Sequence, residues 1–129
     1  MSNIQLKKFD MSSIKPDKVI VLIGKRETGK SFLCKDLLYY HKNIPVGTVI
    51  SATESANCFY GNIIPSIFIH DEYTPETIHN VLKRQKTVKK HMQNELTQNG
   101  HTSINPNAFL ILDDCLYDAS WTKDKNIKT

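Results

Sequence analysis

The chain has 129 residues, 40% of them hydrophobic and 23% charged, with a net charge of +4; these are ordinary proportions for one soluble domain with a single core. No apolar run approaches the length needed to span a bilayer, and Met1-Ser2-Asn3-Ile4-Gln5 is no signal peptide. Cys34, Cys58 and Cys115 are odd in number and form no CxxC pair, which favours reduced thiols in an intracellular setting over a disulfide framework or a zinc site.

Residues 1–16 read as a polar lead-in ended by Pro16. The run Val19-Ile20-Val21-Leu22-Ile23 predicts a buried strand over about 18–23. Gly24-Lys25-Arg26-Glu27-Thr28-Gly29-Lys30-Ser31 follows at once and fits the phosphate-loop pattern G-x-x-x-x-G-K-[ST]. Chance alone places that pattern in roughly half a percent of chains of this length. A triphosphate needs many donors and no crowding side chains. Gly24 and Gly29 let backbone N–H groups approach its oxygens, and the helix that starts near Gly29 aims its N-terminal N–H groups at the same anion. In this pattern Lys30 bridges the β- and γ-phosphates of ATP, and the Ser31 hydroxyl holds Mg²⁺. Arg26 either touches phosphate or only covers the loop, whereas Glu27 is expected to point into solvent.

A helix is predicted over about 29–41, with Leu33, Leu37 and Tyr40 at helical spacing and Cys34 and Leu38 beside them. Pro45 and Gly47 bracket a break before a short strand at Thr48-Val49-Ile50-Ser51. Residues 52–62 are polar and show no pattern. Ile67-Phe68-Ile69-His70 reads as a further strand, and a turn explains His70-Asp71-Glu72 better than a metal site does. Thr74-Pro75-Glu76 opens a long helix with a capping hydroxyl, a proline in the first turn and an acid at the positive dipole end. Ile78, Val81, Leu82, Val88, Met92 and Leu96 fall on one side of it. Lys83, Arg84, Lys86 and Lys90 fall mostly on the other, with Lys89 near the apolar edge. That basic face is either a solvated surface or a track for DNA phosphates. Residues 94–107 read as a polar loop.

Ala108-Phe109-Leu110-Ile111-Leu112 predicts a strand that ends in Asp113-Asp114, about eighty residues after the phosphate loop. The coupling of the two motifs makes Asp113 the Mg²⁺ partner, through water, and Asp114 the group that polarises the attacking water. The alternative for the pair is a turn or helix cap after the strand. Alternating strands and helices with the phosphate loop first predict an α/β fold with a parallel sheet and flanking helices.

Here the chain resembles the genome-packaging ATPases of large DNA viruses, in the HerA/FtsK-type branch of the P-loop motor proteins. The likeness rests on Phe9-Asp10 through the phosphate loop. It continues in Leu112-Asp113-Asp114-Cys115-Leu116-Tyr117-Asp118, then Trp121 and Lys123-Asp124-Lys125-Asn126-Ile127. Glu27 departs from it, standing where relatives of that type usually carry a small residue, often Gly. The resemblance implies a RecA-like core, with residues 17–129 the N-terminal part of the ATPase domain and later strands missing. It also implies a homo-oligomeric ring that moves double-stranded DNA into capsids, with capsid or portal proteins as further partners. It places the protein in the host cytoplasm or viral factory, or in the virion. In that strand order both sheet neighbours of residues 18–23 come after Asp118. Three other readings stay open. One is a nucleotide-binding assembly module or fragment without turnover, and another a small-molecule kinase, against which two arginines are few for a lid. A GTPase lacks its Asn-Lys-x-Asp signature here.

Overall fold

Val46–Ser51 (β1) forms the centre of a parallel sheet, flanked by Ile69–His70 (β2) and Ala108–Asp113 (β3) in the order β2-β1-β3. The computed structural model describes residues 3–25, 27–53, 58–65, 68–115 and 123. The protein is α/β. Its chain divides into two compact units, Met1–Asn43 and Ile44–Thr129, and the sheet belongs to the second.

β1 carries the β-branched residues that a pleated, doubly covered strand favours. The adjacent residues Val49 and Ile50, which point to opposite faces, are both fully buried. Its pairing with β3 runs unbroken from Val46 opposite Ala108 to Ser51 opposite Asp113. β2 adds the short ladder Val49–Ile69 and Ile50–His70. Parallel neighbours require a long crossover; between β2 and β3 this is the helix Pro75–Asn99, α2 (α1 being Lys30–Tyr40 in the first unit). Ile50, Tyr73, Ile78 and Cys115 form the core, with Leu112 packed against it.

Gly47 sits in β1 because of its partner. The Phe109 ring of β3 occupies the position a Cβ at Gly47 would take. Gly47→Ala forces the ring to shift or the strands to part. We expect it to destabilise the fold by about 1–3 kcal/mol, read as a lower midpoint in a urea melt with an unchanged slope; an unaltered midpoint would contradict this packing.

The start of α2 is as its sequence predicts. Thr74 is the N-cap, its Oγ1 accepting from Thr77 N at 3.3 Å, with proline in the first turn and Glu76 beside it. Its end differs. The helix continues through residues 94–99, expected as loop, and stops at Gly100, which takes φ +74° and donates its N–H to Leu96 O at 3.0 Å. Polar composition does not end a helix; a left-handed C-terminal residue does. Residues 101–107 are tied back to the helix. Gln85 Nε2 donates to Pro106 O at 2.8 Å, and Thr102 Oγ1 donates to Glu95.

In the first unit, residues 18–23 form no ladder with any described residue. Val19, Val21 and Ile23 are 89%, 72% and 93% exposed. The strand expected here is therefore not formed among the described residues. An apolar run specifies that a segment wants two neighbours, and no described residue pairs with it. Residues before it are more ordered than a polar lead-in suggests. Asp10 caps the turn Met11–Ser13, accepting from Ser12 N at 3.0 Å and Ser12 Oγ at 2.6 Å. Those bonds, the hydroxyl's first, hold its carboxyl below the usual carboxylate range. His41, just past α1, donates from Nε2 to Met11 O at 2.8 Å and ties the turn to the helix.

Candidate nucleotide site

The phosphate loop closes on itself through its own side chains. Lys30, the first residue of α1, carries its ammonium back over the loop to donate to Gly24 O, and to Lys25 O at 3.4 Å. Thr28 Oγ1 donates to the same Lys25 carbonyl at 2.6 Å. Gly24, Lys25, Thr28 and Lys30 are thus brought together. Arg26 lies outside the described residues.

The two glycines are there for different reasons. A Cβ at Gly24 would stand 2.7 Å from Thr28 Oγ1 and 3.5 Å from Lys30 Cδ. That position is a cradle with no room for a side chain. Around Gly29 there is open space, but its φ of +89° lies in the left-handed region that glycine enters freely. Gly29 is also the N-cap of α1 and offers no side-chain cap, so the positive end of the helix dipole is not satisfied from that position. Glu27 takes φ +61°. For a residue with a Cβ this costs roughly 1–2 kcal/mol, a physical reason for glycine at such a position. Its side chain is exposed.

An open groove of about 820 Å³ also lies in this unit, lined by Phe9, Met11, Ile20, Leu22, Leu33 and Leu37 among others. None of residues 24–31 contributes to it, and its apolar wall does not suit a triphosphate. The loop holds the Gly24 position that a Cβ would crowd and the Lys30 ammonium, neither of which lines the groove.

The two acids occupy the second unit, at the end of β3, in unlike settings. Asp113 is the last ladder residue, opposite Ser51, and its carbonyl accepts from Ala52 N at 3.4 Å. Its half-buried carboxylate accepts a 2.7 Å hydrogen bond at Oδ2 from the hydroxyl of Tyr60. Asp114 is exposed and sits at φ +54°, a left-handed position that Asp tolerates better than most residues. Ser31 lies half-buried in α1, in the first unit, whereas Asp113 belongs to the second. Among the described residues no group of three or more His, Cys, Asp or Glu could hold a metal. Magnesium at a triphosphate needs none, since it takes one or two protein oxygens beside phosphate and water.

Tyr60 is the residue that sequence reasoning missed. It lies in a stretch without periodicity, yet it is 1% exposed. Cys115 is buried, its thiol donating to Ile50 O at 3.5 Å, Cys34 is half-buried and Cys58 is exposed. Ile67, Leu116-Tyr117-Asp118, Trp121 and residues 124–127 lie outside the described residues.

Comparison with known proteins finds viral relatives. The chain is 44% identical over 132 residues to uncharacterized protein 075L of Invertebrate iridescent virus 6, covering 95% of this chain and 45% of that protein. It is 35% identical over 127 residues to uncharacterized protein L437 of Acanthamoeba polyphaga mimivirus, covering 98% and 44%. With uncharacterized protein 015R of Frog virus 3 the identity is 29% over 139 residues, covering 99% and 40%. The chain thus spans less than half the length of these relatives. No family model and no solved structure matches it.

Proposed function

We propose that this chain carries the nucleotide site of a RecA-like P-loop ATPase of the viral genome-packaging type. In this reading the whole protein assembles as a homo-oligomeric ring and drives double-stranded DNA into capsids, with capsid or portal proteins at its ends. The observation that carries the nucleotide reading is the loop itself. Gly24 leaves a cradle that a Cβ would fill, and Lys30 reaches back over it from the first residue of α1.

In this account residues 24–31 bind the phosphates. Backbone N–H groups of the loop face the anion, and Lys30 exchanges the carbonyls of Gly24 and Lys25 for β- and γ-phosphate oxygens. Ser31 and Asp113 hold Mg²⁺, Asp113 through water, and Asp114 orients the attacking water. The bound cation supplies positive charge that neutralises the oxygens of the leaving diphosphate. Titration of ATP into the protein tests the reading, with Lys30→Ala as the control.

Double-stranded DNA as partner is supported by α2. No acidic residue lies between Glu76 and Glu95, while Lys83, Lys86 and Lys90 are all exposed at helical spacing. Those three lysines span about 10 Å along the axis. Replacing all three by Gln is expected to reduce the slope of log affinity against log salt by about 2 to 3 for duplex DNA. An unchanged slope would mark that face as solvated surface only.

A second reading is favoured by residues 18–23. A phosphate loop whose leading segment is in no ladder can hold phosphates by its own donors without fixing them for attack. ATP binding with no turnover, even with DNA at high protein concentration, is its signature.

A further inference from the structure

The outward side of α2 carries two polar stripes of different chemistry. His79, Lys83, Lys86 and Lys90 repeat at i, i+4, i+7 and i+11. Asn80, Arg84, Thr87, His91, Asn94 and Gln98 follow the same helical spacing one residue later. One residue is a rotation of about 100° on a helix, so the two stripes run side by side. Every residue of both is exposed. The buried and half-buried positions Ile78, Val81, Gln85, Val88, Met92 and Glu95 form a third stripe on the remaining side. Residues 101–107 are anchored to that third stripe, through Gln85 and Glu95.

The first stripe offers ammonium groups, compact charges on flexible stems that suit phosphate and read no sequence. The second offers amide, guanidinium, hydroxyl and imidazole groups, and no acidic side chain interrupts it. Arg pairs bidentately with guanine O6 and N7, and Asn or Gln with adenine N6 and N7; those edges face the major groove. An α-helix about 10–12 Å across fits the B-form major groove, which is about 12 Å wide. The A-form major groove of duplex RNA is too narrow for side chains to read. Asn80 to Asn94 spans about 21 Å of helix, or about six base-pair steps. The Thr87 hydroxyl donates to Lys83 O at 3.1 Å and so turns back onto the helix, which leaves the outward contacts to its neighbours.

We infer that α2 enters the major groove of duplex DNA. Lys83, Lys86 and Lys90 take the phosphates of one wall, and Asn80, Arg84, His91 and Asn94 face the base edges. The inference rests on the proposed reading of duplex DNA as partner and adds the groove and the residues that face it. Both stripes lie on one helix of the second unit, so the surface depends on no other element.

The test is fluorescence anisotropy with a labelled DNA duplex and an RNA duplex of the same sequence. Three proteins are titrated: wild type, Asn80→Ala/Arg84→Ala/Asn94→Ala, and Lys83→Gln/Lys86→Gln/Lys90→Gln. The alanine positions are exposed and alanine is the strongest helix former, so α2 is retained, as circular dichroism checks. Wild type should bind DNA tighter than RNA by about tenfold or more. The alanine variant should lose about tenfold on DNA while its RNA affinity stays within about threefold. The glutamine variant should weaken on both duplexes and keep the preference for DNA. Equal wild-type affinity for DNA and RNA overturns groove entry, while phosphate-mediated DNA binding stands; this comparison needs no variant. An alanine variant that loses both duplexes alike, or neither, also overturns it, since those residues then read no base edge. No binding of either duplex removes DNA as partner and the inference with it, leaving the nucleotide site untouched.

Discussion

Lys30→Ala is expected to weaken ATP binding by about 10²–10⁴-fold. The ammonium already lies against the loop through Gly24 O and Lys25 O, so it is preorganised over the cradle that the phosphates need. Two charge-assisted hydrogen bonds to phosphate are worth about 1.5–3 kcal/mol each, and every 1.4 kcal/mol is about tenfold in affinity. Calorimetry with Mg·ATP reads the loss directly, and an unchanged dissociation constant would sink the phosphate-loop reading altogether.

Asp114→Asn is the second large effect, and it should fall on rate alone. Asp114 is exposed at the end of β3 and stands outside the ladder that fixes Asp113. A group that orients water but holds no cation contributes to the transition state more than to the bound ground state. The expected outcome is ATP affinity within about twofold of wild type and hydrolysis slowed by roughly 10²–10⁴, the range for a positioned acid–base group. If Asp114→Asn instead removes the dependence on Mg²⁺, the roles of the two aspartates are reversed.

Features set by local chemistry were legible in the sequence. The starts of both long helices, the strand β3 and the Thr48–Ser51 part of β1 each follow from residue type over a short window, whereas Gly47, expected to mark a break, lies inside β1. Thr74 capping a helix with proline in its first turn is such a case. Pairing was not legible in the same way. Val19–Ile23 has the composition of a buried strand, yet burial needs neighbours, and it forms no ladder among the described residues. Asn94 to Asn99 is polar enough to suggest a loop, but Gly100 at φ +74° is what ends the helix. Tyr60 could not have been singled out at all. Its hydroxyl reaches Asp113 through tertiary structure, and no periodicity marks a lone aromatic that folds back onto a distant carboxylate. The left-handed backbone at Glu27 and Asp114 was equally hidden, since neither residue is glycine.

The most direct measurement is a thermal melt of the protein with and without Mg·ATP, run beside Lys30→Ala. Ligand bound only by the folded state raises stability by about 2.7 kcal/mol at a hundred times its dissociation constant. The account predicts a cooperative melt that rises by several degrees with Mg·ATP for the unaltered protein and does not move for Lys30→Ala. No shift in the unaltered protein, or an equal shift in both, would contradict a nucleotide site at residues 24–31.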